Sequence, residues 1–307
     1  MDLELPELVQ QRARSRGPSG RAWLEALPGV LASLSDRWSL TLGAVLAGGT
    51  AGCVVEATDE SGAARVVKIA MALDVDDRIA FERSVIVHEL AAGRGCAQVI
   101  DHDDTSTAVL MERLGPNLAD LGYTVPQILE IVTTTLQSFW RVAPDDDRLP
   151  TGADKATWLA RFITSTWSEL RRPCPRIVID RAVAYCERRA ASYTPIDAVL
   201  VHGDGHGWNT LAAPDGGFKF VDPEGIRSEP AHDLAVLMRE YNEPLVAGDT
   251  ARLVRDRAER LASVCAVDPE PVWEWGYVER VSTGLANLRD FTDGSGEMFL
   301  EVAERCL

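Results

Sequence analysis

The stretch VHGDGHGWNTLAAPDGGFKFVDPEG, residues 201–225, sets three oxygen-bearing side chains at short intervals. Asp204 precedes Asn209 by five residues, and a hydrophobic run then delivers Asp222. Asparagine and aspartate supply hard oxygen ligands, which suit Mg2+. A carboxylate beside such a centre can take the proton of a hydroxyl. These are the parts needed to move a phosphoryl group, a reaction that depends on positioning and charge neutralisation more than on covalent help from the protein. Asp204 would face the incoming hydroxyl while Asn209 and Asp222 approach metal from the other side, all held by a tight loop between two short strands. The same stretch could instead be a polar surface hairpin whose D-G and D-G-G pairs only make turns. The H-G-D spacing and the strand ending in aspartate favour the first reading.

Protein kinases use the same three polar groups, which directs attention to further positions. Lysine is scarce: Lys68, Lys155 and Lys219 are the only ones. Lys68 lies inside the apolar run RVVKIA, where it would hold the α- and β-phosphates of a nucleotide and pair with a helix glutamate. Glu82 and Glu89 are the candidates, and Glu82 is preferred for its place in the first half of the following helix. Taken alone, Lys68 could be a snorkelling edge-strand lysine. The turn Ala47 to Val54 matches a phosphate-covering G-x-G-x-x-G-x-V loop in part, with Ala47 at the first glycine, so Gly49 and Thr50 are candidate phosphate contacts. In VLMERLG, residues 109–115, the Glu112 carbonyl and Leu114 N–H are the positions expected to meet a nucleotide base.

The elements that must carry these groups can be read from periodicity. Residues 1–38 form an N-terminal extension with helical spacing over 20–34. Strand-like runs follow at 40–46, 53–58 and 64–70, the last two joined by the hairpin signal DESGA. A helix is predicted over 77–92, then VIDHDD leads into the strand TAVLMERL. Helical spacing returns at 125–142, 154–170 and 176–192, with short strands at 198–202 and 218–222, and 231–307 is mostly helical. The division is an extension over 1–38, a β-rich lobe over 39–112 and a helical lobe over 113–307. The fold class is α+β, a two-lobe arrangement with a small antiparallel sheet carrying one helix. Trp140, Trp158 and Trp167 fall on helical faces, which predicts core packing.

Composition narrows the function classes. The 307-residue chain has a net charge of −16, which argues against nucleic acid and against an anionic membrane surface. An acidic protein can attract a cationic ligand. The six cysteines form no C-x-x-C pair and read as free thiols of a reducing compartment. The N-terminal sequence lacks an apolar signal core, and no run is long enough to span a membrane, so the cytoplasm is expected.

Taken together, His202-Gly203-Asp204-Gly205-His206-Gly207-Trp208-Asn209, Asp222-Pro223-Glu224, VIDHDD, LMERL and PAHDLA resemble the aminoglycoside phosphotransferase family, and within it the streptomycin 6-phosphotransferase and hydroxyurea phosphotransferase group. The resemblance covers most of the chain and implies a protein-kinase-like fold. It implies Asp204 as catalytic base, Asn209 and Asp222 as metal ligands and Lys68 as the phosphate lysine. Glu224 would reach metal or substrate, and Asp233 would support the lobe structurally. Gly205 replaces the family's usual leucine, which predicts looser packing under the loop. His202 is expected to shape the loop and His206 to lie near the substrate or to pack. Glu274, Glu279 and Asp290, with Trp273, Trp275 and Tyr277, are candidates for a substrate cleft. Mg2+, ATP or GTP, and a small-molecule antibiotic are the implied cofactor, donor and acceptor, and the implied activity is resistance by inactivation. Alternatives are a kinase of another antibiotic (a nucleoside, for example), hydroxyurea or a metabolite, or a nucleotide-binding pseudokinase. The intact Lys68, Asp204, Asn209 and Asp222 speak against the last, and the absence of D-F-G and A-P-E patterns against a protein kinase.

Overall fold

The computed structural model describes residues 3–47, 52–140, 146–291 and 294–307. Two compact units emerge from it, Met1–Gly115 with Ala213–Asp215, and Pro116–Ala212 with Gly216–Leu307.

The first unit opens with α1 (Glu7–Ser15) and α2 (Gly17–Arg37), continues through β1 (Thr41–Val45), β2 (Gly52–Thr58) and β3 (Ala64–Ala70), and after α3 (Val75–Ala91) ends with β4 (Val99–Asp103) and β5 (Ala108–Glu112). The strands form one antiparallel sheet in the order β1-β2-β3-β5-β4. The DESGA signal makes the β2–β3 turn because the Asp59 carboxylate accepts the backbone N–H groups of Ser61 (2.9 Å) and Ala63 (3.0 Å). Leu27, Leu31 and Leu34, at helical spacing on α2, bury against alternate strand residues Cys53, Val55, Val67, Ile69, Ala108 and Leu110. Each fully buried leucine contributes roughly 1.5–3 kcal/mol. Residues 3–38 thus complete the core of the first unit, and the chain divides after Gly115 instead of after 112. The sheet's two-residue alternation then fixes Lys68. Its neighbours Val67 and Ile69 belong to the α2 core, so Lys68 leaves β3 on the opposite face, in register with Val54 and Val109.

Among its described residues the second unit contains a 3-10 turn (Leu118–Leu121), α4 (Val125–Phe139), α5 (Gly152–Glu169), α6 (Arg176–Ala191), four short strands and five further helices. The strands are β6 (Val199–Val201), β7 (Thr210–Ala212), β8 (Phe218–Phe220) and β9 (Ile226–Ser228). β6 pairs with β9 and β7 with β8, so residues 202–209 cross from one two-stranded ribbon to the other. Next come α7 (Ala231–Arg239), α8 (Asn242–Val246), α9 (Thr250–Cys265), α10 (Pro269–Asp290) and α11 (Ser295–Arg305). α10 is the central element, packed against α5, α6, α7, α9 and α11. Its Trp275 and Tyr277 are buried in the core.

Of the three tryptophans assigned to the core from spacing, only Trp167 is there. Trp140 is half-buried, and its indole N–H donates to the Asp233 carboxylate at 2.7 Å. Trp158 is 54% exposed. It stacks on Phe162 one turn further along the outer face of α5, with ring centroids 5.2 Å apart.

Candidate active site

β6 runs directly into His202, whose ring is fully buried against Phe139 and Phe220. Nε2 lies 3.0 Å from the Val221 carbonyl, and Nδ1 lies 3.2 Å from the Asp204 backbone N–H. A carbonyl only accepts and a backbone N–H only donates, so the ring is the neutral Nε2–H tautomer. Burial agrees, pushing its pKa down to about 4. His202 thereby ties the start of the loop to the end of β8 and shapes it without a metal.

Asp233, in the first turn of α7, grips the same segment. Its carboxylate is fully buried and accepts the backbone N–H groups of His202 (2.9 Å) and Gly203 (2.8 Å) as well as the Trp140 indole. Burial raises its pKa to about 6, against the pull of these three donors. Gly203 has φ +86° and faces Glu224, whose Cβ would stand 3.0 Å from an added Cβ, so glycine is required on both counts. Packing at Gly205 is close, contrary to the expectation of looseness. An added Cβ would lie 3.1 Å from Leu136 and 3.4 Å from Phe220, so these two side chains already fill the space that a leucine at 205 would take.

Asp204 is held from three sides. The Arg239 guanidinium donates to Oδ1 at 2.5 Å. The Asn209 amide donates to Oδ2 at 3.1 Å and to the Asp204 carbonyl at 3.0 Å. His206 Nε2 stands 3.4 Å from Oδ2, and its Nδ1 accepts the Trp208 N–H at 3.2 Å. Burial opposes the charged form of Asp204, but the His206 hydrogen bond and the Arg239 charge outweigh it and hold the carboxyl well below the ordinary range. The side chain stays partly exposed, so an ionised carboxylate remains accessible to an acceptor.

Asp222 follows β8 and adopts φ +61°, a left-handed conformation costly for a non-glycine residue and typical of functional sites. The Val221 N–H donates to the Asn209 carbonyl at 2.9 Å, which joins the two candidate ligands' segments. The Asn209 NH2 is spent on Asp204, so its Oδ1 is the atom left for a cation. One amide oxygen and one carboxylate fit Mg2+, which keeps several water or phosphate ligands of its own. Among the described residues no group of three His, Cys, Asp or Glu side chains could hold a metal by itself. Glu224 bonds Lys155 Nζ at 2.7 Å. Burial works against the Lys155 charge, but Glu224 and Glu279 prevail and raise its pKa.

The remaining sequence candidates fall in different places. Lys68, Glu82, Glu112 and Leu114 belong to the first unit. Lys68 is half-buried on β3, Glu82 and Glu89 are exposed on α3, and Glu112 ends β5, where its N–H donates to the Gln98 carbonyl at 3.0 Å. Leu114 is buried. Gly49 and Thr50 lie outside the described residues. Glu274, expected to meet an ammonium group, is buried between Arg188 (2.9 Å) and Arg189 (2.7 Å), so its charge is already met within the protein. Asp290 ends α10, half-exposed and paired with Arg289 at 2.8 Å. Sequence reasoning missed Arg239 and Lys155 and left Glu279 without a role near Asp204. Arg239 Nη1 bonds Glu279 Oε2 at 2.7 Å, which joins both to Asp204. The lysine shortage was a usable signal for Lys155; nothing in the spacing marked Arg239.

A five-stranded antiparallel sheet carrying a half-buried lysine, together with a helical unit whose loop presents an aspartate, an asparagine and a strand-terminal aspartate, defines a protein-kinase-like phosphotransferase. The solved choline kinase LicA from Streptococcus pneumoniae has this fold, with a TM-score of 0.61, 13% identity and coverage of 91% of this chain and 99% of that one. The chain belongs to the aminoglycoside/hydroxyurea antibiotic resistance kinases, whose family model matches residues 37–291. Streptomycin 6-kinase from Streptomyces glaucescens is 28% identical over 293 residues, covering 94% of this chain and 92% of that protein. Hydroxyurea phosphotransferase from Kitasatospora aureofaciens is 26% identical over 306 residues, covering 98% and 85%. The protein is accordingly an antibiotic kinase of that family, transferring a phosphoryl group from a nucleotide to an alcohol acceptor.

Proposed function

We propose that the protein phosphorylates a hydroxyl of a streptomycin-like aminoglycoside, with ATP or GTP as donor, and so inactivates the antibiotic. The observation that carries this reading is the Asp204 carboxylate, ionised, partly exposed and fixed by three partners at the centre of the loop. The acceptor oxygen attacks the γ-phosphorus, the bond from that phosphorus to the leaving nucleoside diphosphate breaks, and the acceptor's proton passes to Asp204. Asn209 Oδ1 and Asp222 would hold Mg2+, which when bound neutralises phosphate charge. Lys68 is assigned to the α- and β-phosphates with Glu82 as its helix partner, Gly49 and Thr50 to the phosphate-covering loop, and the Glu112 carbonyl and Leu114 N–H to the base. His206 and Glu224 are assigned to the acceptor side, as they flank Asp204 and Asp222. Whole-length similarity to streptomycin 6-kinase supports the acceptor class, and the net charge of −16 suits a cationic antibiotic. Six cysteines, none of them in a disulfide, fit a cytoplasmic enzyme.

The test is nucleoside diphosphate release with Mg2+ and ATP or GTP over a panel of streptomycin, other aminoglycosides, nucleoside antibiotics and hydroxyurea. Turnover with streptomycin supports the reading. Turnover confined to hydroxyurea or a nucleoside antibiotic replaces the acceptor, and nucleotide binding without any turnover would favour a pseudokinase.

A further inference from the structure

We propose that Arg239 is the positioning residue of the catalytic base, so that α7 fixes the loop from both of its ends. Asp233, in the first turn, holds the main chain of His202 and Gly203. Arg239, the last residue of the helix, holds the side chain of Asp204. The proposal rests on the reading of Asp204 as base.

The geometry explains why the guanidinium can do this. Arg239 is largely buried, with its side chain 13% exposed. One Nη reaches Asp204 Oδ1 and the other reaches Glu279 Oε2 on α10, while Nε lies 3.6 Å from Glu240. A planar fork held at both tips cannot rotate without breaking one contact. Glu279 is itself almost fully buried within α10, so the anchor is part of the rigid core. The helix end that carries Arg239 is fixed as well. Arg280 donates to the Met238 carbonyl and to Asn242, and Arg257 donates to the Glu240 carbonyl at 2.6 Å. Two cations thus satisfy carbonyl groups that a helix C-terminus leaves open.

The consequence is a fixed carboxylate plane. Oδ1 is held by Arg239, Oδ2 by Asn209 and His206, and the backbone by Asp233 through its neighbours. Without the guanidinium, Asp204 keeps only its Oδ2 partners and can swing about its Cα–Cβ and Cβ–Cγ bonds. Misplacement of a reacting group by about 1 Å costs on the order of 100-fold in rate. Arg239 therefore acts on turnover through Asp204 and leaves nucleotide binding alone.

The experiment is a steady-state kinetic comparison of Arg239→Met, Arg239→Lys, Asp204→Ala and the double variant Asp204→Ala/Arg239→Met in the full-length protein, with the phosphorylated acceptor as readout. Arg239→Met leaves buried Glu279 without its ion-pair partner and with only the Lys155 charge still acting on it, so Arg239→Met/Glu279→Gln serves as the folded control, checked by thermal melting. Arg239→Met and the control are expected to lower kcat by about 10- to 100-fold with the nucleotide KM unchanged, and Arg239→Lys is expected to fall between them and wild type. In the Asp204→Ala background, Arg239→Met is expected to cost nothing further, which a merely structural role would not produce. Wild-type kcat in the folded control overturns the proposal while leaving Asp204 as base. A full additional loss in the Asp204→Ala background also overturns it, because Arg239 would then act elsewhere. Wild-type turnover of Asp204→Ala alone removes the base assignment and the proposal with it.

Discussion

Replacing Asp233 by asparagine tests how the loop is held. The carboxylate faces three donors and no acceptor: His202 N–H, Gly203 N–H and the Trp140 indole. Asparagine offers one oxygen and one NH2. Placing the oxygen on the His202 and Trp140 side, where two donors converge, turns the NH2 toward the Gly203 N–H. That buried donor is then unsatisfied, at about 1–3 kcal/mol, and the loop must shift to relieve the clash. Burial of the charge acts the other way. The rise of the Asp233 pKa from 3.8 to about 6 corresponds to about 3 kcal/mol. A raised folded-state value means the favourable contribution is fully present below pH 3.8 and is lost as pH rises through about 6. Asparagine has no such dependence. Urea unfolding of both proteins should therefore show a stability gap that is widest near the acid end and narrows by up to about 3 kcal/mol as pH rises past 6. At neutral pH kcat should fall by about 10- to 100-fold, because Asp204 follows directly on the two backbone groups that Asp233 holds. A gap that does not change with pH, or an unchanged kcat, would show that Asp233 does not hold the loop in this way.

Three further outcomes follow from the same packing. Gly205→Leu, which restores the residue usual in the resembling family, should destabilise by about 1–3 kcal/mol because Leu136 and Phe220 already occupy the space; an unchanged melting temperature would show that the cluster repacks freely. His232→Phe should stabilise, since the fully buried ring stacks on Trp275 at 4.3 Å and neither nitrogen has a hydrogen-bond partner. Its pKa is lowered to about 3, so wild type loses stability as pH falls below 6.5 and the variant's advantage should grow in that direction; the check is urea midpoints across that range. Leu31→Ala should cost about 2–5 kcal/mol by opening a cavity between α2 and the sheet, and a change within error in calorimetry would contradict the N-terminal helices' place in the core.

Much of this was legible in the sequence because local chemistry set it. DESGA made its turn through Asp59, and the run RVVKIA formed a central strand with Lys68 on the face away from α2. The helices over 125–139, 152–169 and 176–191 followed from their 3.6-residue spacing. All four strands of the second unit have three residues: β6 and β8 were legible because they sit in the apolar runs AVLVH and FKFVD, whereas β7 (TLA) and β9 (IRS) stand in no such run and were missed. Trp158 shows the limit of periodicity: its spacing fits a core face, yet the ring lies outside on Phe162. The Asp204, Asn209 and Asp222 segments were readable because they lie close in sequence. Arg239 lies 35 residues from Asp204 and Glu279 further still. Only the packing of α7 on α10 joins them, and spacing carries no trace of that.

In the proposed reaction Asp204 activates an antibiotic hydroxyl for phosphoryl transfer. Phosphorus NMR of streptomycin incubated with Mg2+, ATP and either wild type or Asp204→Ala tests it most directly. A phosphate ester should form with wild type, and with the variant its rate of formation should fall by about 100-fold or more while nucleotide affinity is retained. Equal rates of ester formation by the two proteins would contradict it.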